Sequence, residues 1–526
     1  MTVDPVQNPE AGFEPFPDII RRHAGNAGDT AAFVCDGVAL SWRELARDMA
    51  RVASACGTLG VGEGDKVALL ATVSLRALTA FFGAIDATAC AVPLTTSATP
   101  ASVLSMLRDS DARVLLASAD QRDTLAQIED ALHEEFRGRL VALDFEAPGW
   151  IAWHDWLAAG ASAPAAPHRV SREEHDFNII YSSGTTGSPK GILHRHGMRH
   201  RQAARRSFGL SPQSVMLLST PLYSNTTLQP LLATLAAGGT TLLMPRFSAQ
   251  GFLQLCTQNR VTHTMLVPVQ YQRLLDHPDF AATDLSSFQL KQCTGAPLDA
   301  GLIERIQRQW PGQLREIYGM TEGGCSCVLN ADEHPDKLGT VGKPAPHHDM
   351  RIIDEAGREL PTGEAGEIVG RSPYMMAGYY KRPDATAAFY WRDATGAVFH
   401  RSGDIGRFDA DGFLTLLDRK KDMIISGGFN VYAADLETIL ATHPDVADAA
   451  VIGIPSAQWG ETPLALVVPR TGAHTREEEL LAWTNAQVGK TQRLSAVEYR
   501  PTLPRSALGK VLKRDLRAPY WAASSA

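Results

Sequence analysis

The segment 181–191 contains the side chains best suited to chemistry in this sequence. It reads Tyr-Ser-Ser-Gly-Thr-Thr-Gly-Ser-Pro-Lys-Gly, so five serine or threonine hydroxyls and three glycines accompany Lys190. Small residues let the backbone approach a ligand closely, hydroxyls and amides donate hydrogen bonds to anionic oxygens, and a lysine adds a positive charge suited to phosphates. Pro189 before the lysine and Gly191 after it exclude the Gly-Lys-Ser/Thr order of a Walker A loop. By composition alone, a phosphate-binding loop and a flexible linker remain equally open.

Five further short motifs follow along the chain, each rich in glycine or in charged residues. They are Gly295-Ala296-Pro297, Tyr318-Gly319-Met320-Thr321-Glu322, Ser402-Gly403-Asp404, Asp418-Arg419-Lys420-Lys421-Asp422 with Gly427-Gly428, and Pro504-Arg505-Ser506-Ala507-Leu508-Gly509-Lys510. Taken singly, Tyr318 fits a core aromatic, Asp404 a turn residue and Lys510 a surface lysine. A functional interpretation therefore depends on the motifs occurring together and in this order.

Together the six motifs resemble the signature sequences of the adenylate-forming enzymes, which include acyl- and aryl-CoA synthetases, firefly luciferase and the adenylation domains of peptide synthetases. The Ser/Thr/Gly loop resembles the phosphate-binding signature of that family, and residues 318–322 are similar to its Y-G-x-T-E motif. Ser402 occupies a position where the family usually has threonine. Because the motifs keep the family's order over more than 300 positions, the sequence argues strongly against a chance match.

The resemblance implies an ATP-dependent activation of a carboxylic acid. In that reaction a carboxylate attacks the α-phosphate of ATP and expels pyrophosphate, so positive groups must offset the repulsion between two anions. By resemblance, Glu322 binds Mg²⁺, Thr321 donates to the α-phosphate, and Lys510 bridges the attacking carboxylate and the α-phosphate. The residues implied to hold the β- and γ-phosphates are Ser182, Ser183, Gly184, Thr185, Thr186, Gly187 and Lys190.

The contacts to the nucleoside and to CoA are implied in the same way. Asp404 and Arg419 are implied to hold the ribose hydroxyls. The residues implied to bind around the adenine are Gly295, Ala296, Pro297, Tyr318, Gly319 and Met320. In related CoA synthetases the C-terminal domain rotates after adenylation, here about a hinge at Lys421. The residues implied to contact CoA are Gly427, Gly428, Trp459 and Arg493, although packing within the small domain explains Trp459 equally well.

The acid substrate is less well defined than the reaction. The resemblance places its pocket near Tyr223, Ser224, Asn225, Val269 and Gly319. Ser224 stands where many CoA ligases have histidine, and the aspartate that amino-acid-activating relatives use for the α-amino group is missing there. These stretches also contain no basic side chain, which argues against a dicarboxylate. An apolar lining with a few hydroxyls and an amide favours an aromatic or aliphatic monocarboxylate.

The order of helical and strand patterns predicts an α/β protein. Apolar strands such as 66–72 and 112–118 alternate with helical segments, which is typical of a mostly parallel sheet. Ser41, with Glu44 three residues later, predicts the start of a helix. The stretch 158–170 is rich in alanine, glycine and proline, and it predicts an exposed connection.

The predicted secondary-structure content changes twice towards the C-terminus. From about Gly339 the chain is β-rich with frequent turns, and from about Lys421 it returns to mixed helix and strand. We therefore predict a large N-terminal domain, 1–420, made of α/β subdomains plus a β-rich subdomain. A small, mobile α+β C-terminal domain, 421–526, follows it.

The overall composition narrows the class of protein. The 526 residues carry 50 lysines and arginines against 58 aspartates and glutamates, a formal net charge of −8. This acidic balance argues against a general nucleic-acid-binding protein. We see neither a signal sequence nor an apolar run of about eighteen residues, so we predict a cytoplasmic protein without a transmembrane segment. A homodimer is left open.

The spacing of His194, His196 and His200 invites a metal site, but no nearby cysteine or carboxylate completes it. Arginines interleave these histidines. We therefore interpret residues 194–201 as a basic, mostly solvated segment.

Three functions remain open at this level. The leading hypothesis is an acid–CoA ligase that forms acyl-AMP and then acyl-CoA. A second enzyme hypothesis keeps the adenylation but delivers the acyl group to the thiol of a carrier protein. The third is a non-catalytic sensor of AMP or acyl-AMP, against which the presence of both Glu322 and Lys510 argues.

Overall fold

The computed structural model describes residues 12–162, 170–182, 190–205, 208–420, 422–426, 429–456, 458–489, 492–506 and 509–524. The helices are α1 (Phe16–Ala27), α2 (Trp42–Thr58), α3 (Leu75–Asp86), α4 (Pro100–Asp109), α5 (Arg122–Ala126), α6 (Glu129–Glu135), α7 (Trp153–Ser162), α8 (His196–Ala204), α9 (Asn225–Ala237), α10 (Ala249–Asn259), α11 (Pro268–Leu275), α12 (Ala300–Gln309), α13 (Pro383–Ala388), α14 (Ala433–Ala441), α15 (Glu477–Asn485) and α16 (Lys513–Ser524).

The strands are β1 (Ala31–Cys35), β2 (Val38–Ser41), β3 (Lys66–Leu70), β4 (Cys90–Pro93), β5 (Ala112–Ala117), β6 (Leu140–Ala142), β7 (Ile151–Ala152), β8 (Asp176–Ser182), β9 (Lys190–Arg195), β10 (Val215–Leu218), β11 (Thr240–Leu243), β12 (His263–Leu266), β13 (Leu290–Thr294), β14 (Gln313–Gly319), β15 (Ser326–Asn330), β16 (Lys343–Pro344), β17 (Asp349–Ile353), β18 (Gly366–Arg371), β19 (Gly378–Tyr379), β20 (Tyr390–Arg392), β21 (Val398–Phe408), β22 (Leu414–Arg419), β23 (Ile424–Ser426), β24 (Phe429–Val431), β25 (Val446–Ser456), β26 (Gly460–Pro469) and β27 (Ala496–Tyr499).

The chain divides into two compact units. The first unit comprises Met1–Leu338, Ala345–Asp349 and Arg371–His400. The second unit comprises Gly339–Pro344, Met350–Gly370 and Arg401–Ala526. The boundary that we place between residues 420 and 421 stays a prediction.

Two sheets form the frame of the first unit. In the first sheet the strands β14, β13, β12, β10, β11 and β1 are neighbours in that order, and every neighbouring pair is parallel. The second sheet has the order β19, β9, β8, β4, β3, β5, β6, β7; it is parallel from β8 to β7, while β9 and β19 run antiparallel. The predicted α/β class is thereby confirmed.

Helices fill the space between the two sheets. Helix α3 contacts β1 of the first sheet and also β3 and β4 of the second. One apolar core joins both layers, since it contains Phe33 of β1, Phe82 of α3 and Phe177 of β8, each of them no more than 1% exposed. The sheets are therefore fixed to each other through a shared, close-packed interior.

Local signals in the sequence account for several element boundaries. The Ser41 hydroxyl accepts the N–H of Glu44, and the Glu44 carboxylate accepts the N–H of Ser41, so α2 begins with the predicted capping box. The interpretation of 158–170 as a connection is wrong for its first five residues, which complete α7. Alanines favour helix there, and the buried Gly160 leaves room for α2, since a Cβ on it would lie 2.5 Å from the Arg51 carbonyl oxygen.

The second unit contains two groups of strands with helices around them. Strand β18 lies between β17 and β21, and β21 continues into the antiparallel hairpin with β22 through the turn at 409–412. The strands β24, β23, β26 and β25 form a further sheet, with β27 added parallel to β26. Apolar residues of α14, β25 and β26 make the core of this part.

No helix in the described parts of the chain combines the length and the apolar character that crossing a membrane requires.

Candidate functional site

Four neighbouring strands of the first sheet end in predicted site residues. Following β10 come Tyr223, Ser224 and Asn225; following β12 comes Val269; following β13 come Gly295, Ala296 and Pro297; and at the end of β14 come Tyr318, Gly319, Met320, Thr321 and Glu322. Since these strands are parallel, their carboxyl ends lie at one edge of the sheet, which is where α/β proteins bind ligands. The structure therefore brings the predicted acid and nucleotide residues of the first unit to one edge.

Short-range hydrogen bonds shape the turns along this edge. The Ser224 hydroxyl accepts the N–H of Thr226 and caps α9, which gives this serine a structural role. Gly295 adopts a φ of 91°, a conformation that side-chain-bearing residues rarely take. Below it, the buried Glu316 accepts the N–H of Leu298 at 2.9 Å, and burial raises the pKa of Glu316 to about 8. The buried carboxyl of Glu316 thus fixes the turn that follows β13.

The predicted phosphate loop begins and ends on a hairpin of the second sheet. Ser182, the last residue of β8, pairs with Lys190, the first residue of β9. The other residues predicted to bind phosphates, Ser183, Gly184, Thr185, Thr186 and Gly187, lie outside the described residues. Strand β19 adds to the other edge of β9, and the N–H of Tyr380 donates to the carbonyl oxygen of Gly191 at 2.8 Å. Lys190 is therefore positioned by a three-stranded ladder.

Tyr379 connects the two most important charged residues of this unit. Its hydroxyl donates to Oε1 of Glu322 at 2.9 Å, and the amino group of Lys190 lies 5.3 Å from the centre of its ring. Burial, together with the charge of Glu322, raises the pKa of the Tyr379 phenol. Sequence reasoning missed this residue, because Tyr379 lies in β19 about 60 positions after Glu322, and no spacing rule relates the two. The cation–π contact and the hydrogen bond hold the lysine and the carboxylate in one cluster.

The interpretation of residues 194–201 as mostly solvated is wrong. His194, His196, Arg199 and His200 are between 0% and 7% exposed, because the segment runs from β9 into α8 and packs against β8 and α9. Desolvation lowers the pKa of His194 well below its usual range and that of His196 to about 3, so both histidines are neutral. The hydrogen bonds of His194 to Thr321 and Arg199 offset the cost of burying this neutral imidazole.

His194 bonds directly to the predicted catalytic turn. Its Nε2 lies 2.8 Å from the carbonyl oxygen of Thr321. On the other side of the same turn, the N–H of Met376 donates to the carbonyl oxygen of Glu322 at 2.8 Å. Thr321 and Glu322, which follow the first sheet, are therefore held by residues of the second sheet and of the segment that leads into it.

In the second unit the structure brings Asp404 and Arg419 together. They are directly paired in the β21–β22 hairpin, and Nε of Arg419 lies 3.3 Å from Oδ1 of Asp404. The Ser402 hydroxyl donates to the carbonyl oxygen of Ile368 and accepts the N–H of Asp404. Serine thus performs a positioning role with the same hydroxyl that a threonine would provide.

The remaining predicted residues of this unit lie on its surface. Lys510 is exposed at the end of a tight turn in which its backbone carbonyl accepts the N–H of Ser506 at 2.8 Å. Trp459 is 50% exposed, so packing within the unit does not explain it, and Arg493 is exposed as well. The predicted hinge residue Lys421 and the predicted CoA-binding residues Gly427 and Gly428 lie outside the described residues.

Comparison with known proteins decides the family. The model of the AMP-binding enzyme family matches residues 20–380, and that of the AMP-binding enzyme C-terminal domain matches residues 435–510. The chain belongs to the AMP-binding enzyme family. The curated relatives that it resembles are AMP-forming acid–thiol ligases, and this AMP-binding enzyme is an adenylate-forming ligase that uses ATP and an acid.

Three similar proteins illustrate the range of the family. A feruloyl-CoA synthase of Amycolatopsis is 35% identical over 489 residues, covering 92% of this chain and 94% of its own. A fatty acid–[acyl-carrier-protein] ligase, ScoC of Streptomyces coeruleorubidus, is 30% identical over 514 residues, covering 96% of both chains. The crystal structure of ATP-bound MatB from Rhodopseudomonas palustris has a TM-score of 0.85 at 28% identity, covering 96% of this chain and 99% of its own.

We expect Tyr379→Phe to lower the rate of pyrophosphate release about tenfold, because it deletes a hydrogen bond to a charged carboxylate and leaves the ring in place. Initial rates should be measured against magnesium concentration, and half-saturation should move to higher magnesium. Tyr380→Phe is the matched control, since that neighbouring hydroxyl bonds Asp111. Equal activity of Tyr379→Phe and Tyr380→Phe would show that the Glu322 contact is dispensable.

Proposed function

We propose that this protein is an ATP-dependent carboxylic acid–CoA ligase. It activates an aromatic or aliphatic monocarboxylate as acyl-AMP with release of pyrophosphate, and it then transfers the acyl group to CoA as a thioester. The observation that carries the proposal is the cluster in which Tyr379 joins Lys190 and Glu322. Adenylation needs a cation for the phosphates and a carboxylate for a metal ion at one place, and this cluster supplies both.

The residues around Glu322 fit a magnesium ion that is held mainly by its nucleotide. No group of three His, Cys, Asp or Glu side chains that could bind a metal occurs in the described ranges. Mg²⁺ typically uses one or two protein carboxylates and completes its shell with phosphates and water. Glu322 therefore suits it, and when bound the ion would neutralise charge on the triphosphate.

In the first half-reaction a carboxylate oxygen of the acid attacks the α-phosphorus of ATP, and the bond to pyrophosphate breaks. Lys190 stabilises the phosphates that leave, and Thr321 donates to the oxygens of the phosphorus under attack. Asp404 and Arg419 are proposed to hold the ribose hydroxyls; Nε of Arg419 lies 3.3 Å from Oδ1 of Asp404. Lys510 is proposed to offset the repulsion between the carboxylate and the α-phosphate.

In the second half-reaction the thiol of CoA attacks the acyl carbonyl, AMP leaves, and the thiol proton passes to solvent. The exposed indole of Trp459 and the exposed Arg493 suit the adenine and the phosphates of CoA. Transfer to a carrier-protein thiol is the alternative, and the similarity to ScoC keeps it open.

Lys510→Ala should lower acyl-AMP formation roughly a hundredfold or more, because a charge that acts only in the transition state is lost. Thioester formation from supplied acyl-AMP should be largely spared. The two half-reactions are measured as pyrophosphate release and as thioester yield in one preparation, with Arg514→Ala, an exposed cation nearby, as control. An equal loss in both half-reactions would contradict the assigned role.

The acceptor is tested by competition. With one accepted acid, we expect CoA to yield thioester and a holo-carrier protein at equal concentration to yield little.

The accepted acid is found by a screen that includes benzoates, cinnamates and fatty acids of graded length, with pyrophosphate release as the readout. Preference for the carrier protein would favour the alternative acceptor, and no release with any acid would favour the sensor.

We further propose that two buried amide oxygens of the first unit face the acid and favour a particular class of aromatic acid. Oδ1 of Asn225 and Oε1 of Gln292 are buried, and in the part of the chain that the structure describes neither has a hydrogen-bond partner. Buried acceptors are normally satisfied, and an unsatisfied one costs about 1–3 kcal/mol. A substrate hydroxyl or amino group would donate to such oxygens, whereas an alkyl chain would not.

We therefore expect 4-hydroxycinnamate to be used about tenfold better than cinnamate, because discrimination by a polar pocket depends on the donor that fills it. Asn225→Leu or Gln292→Met should reduce this ratio of kcat/KM. Gln254→Met, an exposed position on α10, is the control. Equal use of the two acids by the unaltered enzyme would contradict this substrate class.

A further inference from the structure

Arg199 is a buried cation without a carboxylate partner. Its side chain lies on α8, and the residue is 0% exposed. Its guanidinium donates from Nε to Oδ1 of Asn178 at 2.9 Å and from one terminal nitrogen to Oε1 of Gln202 at 2.9 Å. Among the described residues no acidic side chain forms an ion pair with it. Desolvation alone lowers the pKa of Arg199 to about 9, and no negative charge opposes that shift.

The third partner of Arg199 connects it to the catalytic turn. Its other terminal nitrogen lies 3.1 Å from Nδ1 of His194. Arginine can only donate hydrogen bonds, so Nδ1 of this neutral imidazole must be the acceptor. The imidazole hydrogen is then on Nε2, which donates to the carbonyl oxygen of Thr321 at 2.8 Å. Arg199, His194 and Thr321 therefore form one chain of hydrogen bonds with a defined direction.

A lone buried charge destabilises a fold unless something else compensates for it. The fold offers Arg199 only neutral partners, although Asn178 occupies a position where an aspartate would have paired with it. Thr321 lies at the far end of this chain of hydrogen bonds, and Glu322 follows it, beside Lys190 and Tyr379. The proposed function places a polyanionic nucleotide at this site. A ligand of opposite charge would supply the compensation that the protein lacks.

We propose that Arg199 is a positioning residue for adenylation: it orients His194 against Thr321, and its uncompensated charge favours a triphosphate over a monophosphate at this site. The inference rests on the proposed function. This role would explain why the largely buried segment 194–201 is rich in histidine and arginine although it forms no metal site. The same role would explain why Asn178 and Gln202 are neutral, since a carboxylate at either position would cancel the charge of Arg199.

The sharpest test is Asn178→Asp, which keeps the shape and the hydrogen bond from Nε of Arg199 but places a negative charge against the guanidinium. It also replaces the amide nitrogen that lies 3.4 Å from Nδ1 of His194 by an oxygen, so the His194 variants below serve as its control. If the charge of Arg199 is used for binding, the variant should melt at the same or a higher temperature and bind a non-hydrolysable ATP analogue with magnesium roughly tenfold more weakly. Its affinity for AMP should change less than about threefold. Both affinities are measured by titration calorimetry.

Two further pairs of variants separate the charge of Arg199 from its shape and test the hydrogen bond to Thr321. Arg199→Lys should keep most of the preference for the ATP analogue over AMP, whereas Arg199→Met should lose it. His194→Gln retains an N–H donor for Thr321 and should bind better than His194→Leu. If Arg199→Met fails to fold, Asn178→Asp still decides the question.

The outcomes distinguish this inference from the function on which it rests. If the unaltered protein binds neither nucleotide, the proposed function fails. If it binds both and Asn178→Asp leaves the ratio of the two affinities unchanged, Arg199 is only a structural residue and the inference is overturned.

Discussion

A hydrogen bond from His194 to the carbonyl oxygen of Thr321, 2.8 Å long, joins two parts of the first unit that belong to different sheets. His194 lies on β9 of the second sheet, and Thr321 follows β14 of the first. The bond from Tyr379 to Glu322 repeats this arrangement one residue further along the chain. Because one sheet carries the lysine and the other the carboxylate, the cluster exists only while these cross-sheet contacts hold the turn in place.

The polar groups of this connection are buried, and their partners explain why the fold tolerates them. A buried polar atom is costly mainly when it lacks a partner. Asn178 and Gln202 accept from Arg199, His194 accepts from it as well, and Thr321 accepts from His194. A network of this kind has few alternative arrangements, so it fixes the geometry of the turn more firmly than apolar packing would.

Much of the architecture could be predicted from local patterns in the sequence. The capping box at Ser41, the parallel strands and the order of the motifs are local or sequential features, and the structure and the comparisons confirm them. The burial of His194, His196, Arg199 and His200 could not be predicted, because interleaved charges indicate a surface unless partners such as Asn178 are known. Tyr379 was missed for a related reason. Its contact to Glu322 depends on strand pairing between distant segments, which composition and motif spacing do not indicate.

The cross-sheet cluster is the proposed binding site of the triphosphate. The most direct measurement is a crystal structure of the protein with magnesium and a non-hydrolysable ATP analogue. We expect the terminal phosphates beside Lys190, a metal ion bound by Glu322, and the His194–Thr321 hydrogen bond intact. Electron density for the analogue far from Lys190 and Glu322 would contradict the account.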